Sequence, residues 1–174
     1  MDRLHGKSAL GHIRYPTVND NITMGRPFSK NWWKSVLELL TGKLKYRNTQ
    51  PVVGKYKGVT IAIAHNGNLT NVDELKALVP SSKIVSSMDT EYILRLLEAC
   101  CPGRIETDLA HVFSLLKGSY SLVILLPDRL IAARDKSGNR PLSIGKSGDS
   151  YFVSSETCVF PNMKAEYVLS LIHI

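Results

Sequence analysis

Residues 59–71 read VTIAIAHNGNLTN, and the change of character inside this stretch sets the fold. Val59, Ile61 and Ile63 fall on one side of an extended chain, and Thr60, Ala62 and Ala64 on the other, because successive side chains of a strand alternate. Both sides are apolar or small, so residues 59–65 are expected as a strand inside a sandwich. Asn66-Gly67-Asn68 then gives a turn signal. Asn71 follows as a helix opener with Glu74 as its capping-box partner, and Leu75, Leu78 and Val79 supply the buried stripe.

Moving outward, a second helix is expected from Asp89, whose carboxylate can cap free N–H groups, through Ile93, Leu94, Leu96 and Leu97 until Pro102-Gly103 stops it. A third starts at Thr107, with Leu109, Val112, Phe113 and Leu116 at helical spacing before Gly118. Beyond Gly118 the period becomes extended. Short apolar runs at 120–126, 130–134, 142–145 and 151–154 read as four strands with tight turns. Upstream, residues 9–15 alternate loosely and end at Pro16, which suits a strand running into a loop. Helices grouped in the middle and strands grouped at the end indicate an α+β layered domain rather than alternating βαβ units.

The 174 residues, 44% of them apolar, suffice for one domain with a real core. The longest apolar run, 122–126, is far shorter than the roughly 20 residues a bilayer needs, and no basic-then-apolar leader opens the chain. A soluble, cytoplasmic protein with no membrane partner is the expectation. Cys100, Cys101 and Cys158 are too few and too oddly spaced for a disulfide framework or a CxxC metal site, so no metal is expected. The net charge of +7 is concentrated: six basic residues stand against two acidic ones between Asn19 and Asn48. With no zinc pattern, no aromatic-rich strand pair and no continuous basic helix face, nucleic acid is not expected as a partner.

Four constellations carry chemistry. Arg14 precedes Tyr15-Pro16-Thr17, where its guanidinium could grip a carboxylate through two parallel hydrogen bonds, or serve as a surface arginine. Asn66 and Gly67 offer an amide donor and a backbone N–H at a strand end, the parts of an oxyanion hole; an ordinary Asn-Gly turn is the alternative. Asp89 could receive a ligand ammonium or simply cap its helix. Arg134-Asp135, ahead of Gly138-Asn139-Arg140-Pro141-Leu142, reads as a charged turn whose ordinary form is an ion pair at a hairpin.

The blocks GHIRYPT (11–17), AHNGNLTN (64–71), SSMDTE (86–91), GSYSLV (118–123), ARDKSGNRPLSIGK (133–146) and YFVSSETCVF (151–160) resemble, in order, those of amidophosphoribosyltransferases. The resemblance implies a four-layer αββα sandwich of the N-terminal nucleophile hydrolase type that hydrolyses L-glutamine and passes ammonia to a phosphoribosyltransferase domain. That domain would use phosphoribosyl pyrophosphate and magnesium to make phosphoribosylamine, the first committed step of purine biosynthesis. It also implies that Arg14 binds the glutamine α-carboxylate, Asp89 its α-amino group, Asn66 and Gly67 the oxyanion, and that Thr17 belongs to the loop closing over the substrate. A homo-oligomer is expected of the intact protein. No cofactor is assigned to this chain, and nothing in it decides whether an iron-sulfur cluster is carried.

The chain departs from that pattern in three places. The family's nucleophile is an N-terminal cysteine whose α-amine acts as base, whereas this chain begins Met1-Asp2. A fragment missing its first strands, inactive by itself, is therefore expected. Residues 19–48 are longer than the family's substrate loop and read as an insertion in a partial amidotransferase domain spanning 1–168. Residues 169–174, LSLIHI, resemble translated sequencing adapter and read as a non-native tail. Two other readings stand beside this one: a glutamine-binding regulatory module without catalysis, and the glutaminase domain of another class II amidotransferase such as glucosamine-6-phosphate synthase.

Overall fold

Alternating side chains turn one face of a four-stranded antiparallel sheet into core. The computed structural model describes residues 7–13, 48–99 and 103–170. In chain order these form β1 (Val52–Tyr56), β2 (Val59–Leu69), α1 (Val72–Lys76), a 3-10 turn (Ser81–Lys83), α2 (Asp89–Ala99), α3 (Ile105–Leu115), β3 (Gly118–Leu125), β4 (Leu130–Arg134), β5 (Ser143–Ser147), β6 (Ser150–Ser154), α4 (Val159–Asn162) and β7 (Glu166–Ser170). One sheet has the order β1-β2-β3-β4 and the other β6-β5-β7. All the pairings are antiparallel, as an α+β domain requires.

The register sorts the faces. Ile61 and Ile63 on β2 share a side with Leu122 and Ile124 on β3, and this side meets Leu94, Ile93, Leu96 and Leu97 of α2 together with Leu109 and Val112 of α3. Each fully buried side chain of this kind contributes about 1.5–3 kcal/mol relative to exposure, so the helix-to-sheet seam dominates the stability of the domain. Gly54 lies where β1 and α2 touch: a Cβ there would stand 2.6 Å from Leu94 Cδ2. The opposite face of the sheet turns toward the second sheet. There Asn66 Nδ2 donates to Ser155 Oγ at 3.3 Å, and Ser121 Oγ donates to the carbonyls of Arg140 and Pro141. In the second sheet, Phe160 of α4 is buried, and a Cβ at Gly145 of β5 would lie 2.8 Å from its ring.

Several local expectations give way to longer-range pairing. Asn66-Gly67-Asn68 does not turn: β2 continues to Leu69, because Gly118–Ser121 of β3 supply it with a partner at every residue. The Asn71 side chain does not cap α1; its Oδ1 accepts the Lys117 N–H at 3.0 Å and its Nδ2 donates to the Leu115 carbonyl, anchoring the approach to β3. Leu78 is 48% exposed, since α1 ends at Lys76 and the helical stripe does not reach it. Residues 9–13 form no strand. Asp135 forms no hairpin ion pair: its carboxylate accepts the N–H groups of Tyr120, Ser137 and Gly138, and the chain passes from one sheet to the other. Most of the 19–48 segment lies outside the described residues. Leu169 and Ser170 pair with Ile144 and Ser143 at the end of β7.

Candidate functional site

Antiparallel pairing gives a strand residue its two backbone hydrogen bonds on one side only, and the side alternates. The Thr70 N–H goes to the Lys117 carbonyl at 2.9 Å, which fixes the parity: even-numbered residues of β2 bond to β3, and odd-numbered ones face the other edge. Along the far half of that edge, two of the three outward positions have partners from outside the sheet. His65 is held by the Gln50 side chain, whose Oε1 takes the His65 N–H at 2.5 Å and whose Nε2 donates to the His65 carbonyl at 3.0 Å. The Leu69 N–H goes to Asp89 Oδ2 at 3.0 Å. The same alternation turns the Gly67 N–H outward between them.

Gly67 is held tightly from the inner side. A Cβ there would lie 2.1 Å from the Ser119 carbonyl oxygen and 2.7 Å from His65 Nε2, so only glycine fits between β3 and the imidazole. Asp89 is the first residue of α2, and its Oδ1 accepts the Thr90 N–H at 2.8 Å and lies 3.4 Å from His65 Nδ1. Its carboxylate therefore contacts residues on both sides of Gly67. Burial pushes the Asp89 carboxyl up, but the His65 hydrogen bond and charge, with the N–H groups of Leu69 and Thr90, outweigh it and hold the group below its ordinary value. The carboxylate stays ionised, and it remains 23% exposed.

The loop leading into α2 is set by Glu91, which is 1% exposed. Its carboxylate accepts the N–H groups of Val85 and Ser86 and the Ser86 hydroxyl, and Arg95 Nη2 closes the arrangement at 2.9 Å. Burial pushes the Glu91 carboxyl up, yet these hydrogen bonds and the Arg95 contact hold it below its ordinary value. Glu91, Gln50 and His65 were not singled out as separate residues by sequence reasoning. Their partners lie on other elements, and only the hydrophobic pattern around Glu91 hinted that the start of α2 is buried.

The structure thus brings Gly67 and Asp89 to one strand edge, and places Asn66 beside them with its side chain on the face toward the second sheet. A ligand touching all three would lie along the edge. Arg14 and Thr17 lie outside the described residues. Clefts of about 470 and 380 Å³ open at the other end of the sheet, near Lys57 and Lys7. In the first of these Lys57 is paired with Asp108 and Arg129 with Glu106 and Asp128. No group of three metal-ligating side chains occurs among the described residues, and none of their helices is long and apolar enough to cross a membrane.

The family description "Glutamine amidotransferase domain" matches residues 25–162. The amidophosphoribosyltransferase of Bacillus subtilis (strain 168) is 32% identical over 171 residues, covering 97% of this chain and 31% of that protein. The enzyme of the same name from Archaeoglobus fulgidus is 33% identical over 172 residues, covering 97% of this chain and 33% of that protein. The chain spans about a third of the length of these curated relatives. Among solved structures, a glutamine phosphoribosylpyrophosphate amidotransferase from B. subtilis complexed with ADP and GMP superposes with a TM-score of 0.67 at 36% identity, over 72% of this chain and 28% of that one. The α+β fold is therefore shared, and since the family match extends over most of the sequence, the chain belongs to the glutamine amidotransferase domain family.

Proposed function

We propose that this chain is the glutamine-binding part of an amidophosphoribosyltransferase, inactive by itself, which in the complete enzyme serves the release of ammonia from L-glutamine for a companion phosphoribosyltransferase domain. The observation that carries the reading is the edge of β2, where an ionised carboxylate and an outward backbone N–H stand side by side: Asp89 is anchored to Leu69 at 3.0 Å with Gly67 next along the edge. In this reading Asp89 receives the α-ammonium group. The Gly67 N–H and the Asn66 amide stabilise the oxygen that gains charge when the side-chain amide is attacked, an interaction whose loss typically lowers the rate roughly a hundred- to a thousand-fold. Arg14 takes the α-carboxylate and Thr17 closes over the substrate.

The attacking group is a cysteine thiolate with a free α-amine as base. Cys158 is given no part in it, because it is exposed at the start of α4 and carries an ordinary peptide nitrogen. Magnesium and phosphoribosyl pyrophosphate belong to the companion domain, and a homo-oligomer is the expected form of the complete enzyme. The test is a titration with L-glutamine followed calorimetrically, comparing the chain with D89N. Loss of one charge-assisted hydrogen bond, roughly 1.5–3 kcal/mol, weakens binding about 10- to 100-fold. Equal binding by D89N would remove Asp89 from the site. In a protein joining this domain to its transferase, N66A is expected to lower glutamine-dependent synthesis of phosphoribosylamine and to spare the ammonia-dependent reaction.

A further inference from the structure

The imidazole of His65 has 1% of its side chain exposed, and its two nitrogens meet different surroundings. Nδ1 lies 3.4 Å from Asp89 Oδ1 and 3.2 Å from Thr90 Oγ1. Nε2 is buried against Gly67, with no hydrogen-bond partner among the described residues. A carboxylate oxygen only accepts, so a hydrogen bond to Asp89 Oδ1 puts the proton on Nδ1, where Thr90 Oγ1 shares it.

An ionised carboxylate has about four acceptor positions. On Asp89, Oδ1 takes the Thr90 N–H, the Thr90 hydroxyl at 3.5 Å and the His65 contact, while Oδ2 takes the Leu69 N–H. Among the described residues, one position on Oδ2 remains. The Thr90 contact comes from the next residue and moves with Asp89, so it does not fix the group relative to β2. The anchors from outside α2 are Leu69 at one end of the carboxylate and His65 at the other. With Leu69 alone the group pivots about its own bond, a torsion that is intrinsically broad.

We propose that His65 is a positioning residue: its Nδ1–H locks the rotation of the Asp89 carboxylate so that the open position on Oδ2 faces the β2 edge at Gly67, ready for the α-ammonium of an amino acid. This inference rests on the glutamine reading given above, and it adds a residue that acts through Asp89 without touching the substrate. Gln50 supports it from the other side, since its two hydrogen bonds fix the backbone from which the ring projects.

The experiment compares the chain with H65N and H65Q, whose amide N–H groups fall near the places of Nδ1 and Nε2 respectively. Each protein is titrated with L-glutamine and with glutaramate, which keeps the carboxylate and the side-chain amide and lacks the amino group. Wild type is expected to prefer L-glutamine by about 10-fold or more, the scale of one charge-assisted hydrogen bond. H65N should keep most of that preference, and H65Q should lose it with its affinity for glutaramate little changed. Preference retained in H65Q overturns the positioning role and leaves the glutamine reading standing. No preference in wild type overturns the reading, and this inference with it. Should H65Q fail to fold, nitrogen-15 spectra of wild-type His65 decide: an Nδ1–H tautomer perturbed by L-glutamine but not by glutaramate supports the role, and an Nε2–H tautomer excludes it.

Discussion

Asp89 Oδ2 accepts the Leu69 N–H at 3.0 Å, which ties the first residue of α2 to the last residue of β2. The bond is the physical seam of the candidate site, because the carboxylate that joins helix to strand is also the one left partly open to solvent. A depressed carboxyl contributes stability above its unfolded pKa and loses it as pH falls through the folded one. The Asp89 carboxyl is held below its ordinary value. Its contributions to stability and to glutamine binding should therefore stay level between about pH 5 and 8 and fall only in more acidic solution. Calorimetric titration across that range checks this; a decline in affinity beginning near neutrality on the acid side would contradict it.

Gly67 should tolerate no side chain. A Cβ would sit 2.1 Å from a backbone oxygen of β3, which cannot swing aside as a flexible side chain can. G67A is expected to destabilise by about 1–3 kcal/mol or more, as overpacking does. Gly11, which has no neighbour within 4 Å of its Cβ position, is the control, and G11A should leave the urea midpoint nearly unchanged.

Gln50 acts as an added strand residue through its side chain. Removing both hydrogen bonds in Q50A should cost about 1–3 kcal/mol and speed exchange of the His65 amide hydrogen with solvent. The Leu69 amide, held by Asp89 instead, should retain its protection. Parallel loss at both amides would show that the edge opens as one unit.

Glu91 is a buried carboxylate bound by the Val85 and Ser86 N–H groups and by Arg95. E91A leaves the Val85 and Ser86 N–H groups without their acceptor while Arg95 keeps Glu98 at 2.9 Å, so a cost of about 1–3 kcal/mol is expected. Because the Glu91 carboxyl is depressed, its stabilisation is present above the unfolded value and is lost as pH falls through the folded one. E91Q should accordingly flatten the acid limb of a stability-versus-pH curve measured by denaturant unfolding.

What was legible in the sequence was what burial writes locally. The alternation at 59–65 and the stripes Ile93-Leu94-Leu96-Leu97 and Leu109-Val112 each reflect one-sided contact with a core, so their periods give strand and helices directly. Gly67 and Asp89 stood out in the sequence as candidates, each with an ordinary role beside it, a turn for the one and a helix cap for the other; the structure adds that they meet at one strand edge. Arg134-Asp135 was misread because its local pattern suits a hairpin, while the carboxylate is taken by Tyr120 N–H on another strand.

By itself, then, the sequence determined the strand at 59–65 and the two helices that pack on it, and it nominated Gly67 and Asp89 as candidates. Only the tertiary structure decided how those residues point. Asn66-Gly67-Asn68 is a turn by its own preferences, yet residues fifty positions later pair with it and keep it extended. That pairing parity turns the Gly67 N–H to the open edge and sends the Asn66 side chain to the opposite face from His65. Local preference is worth a few tenths of a kcal/mol to about 1 kcal/mol per residue, and a full ladder with a packed face outweighs it.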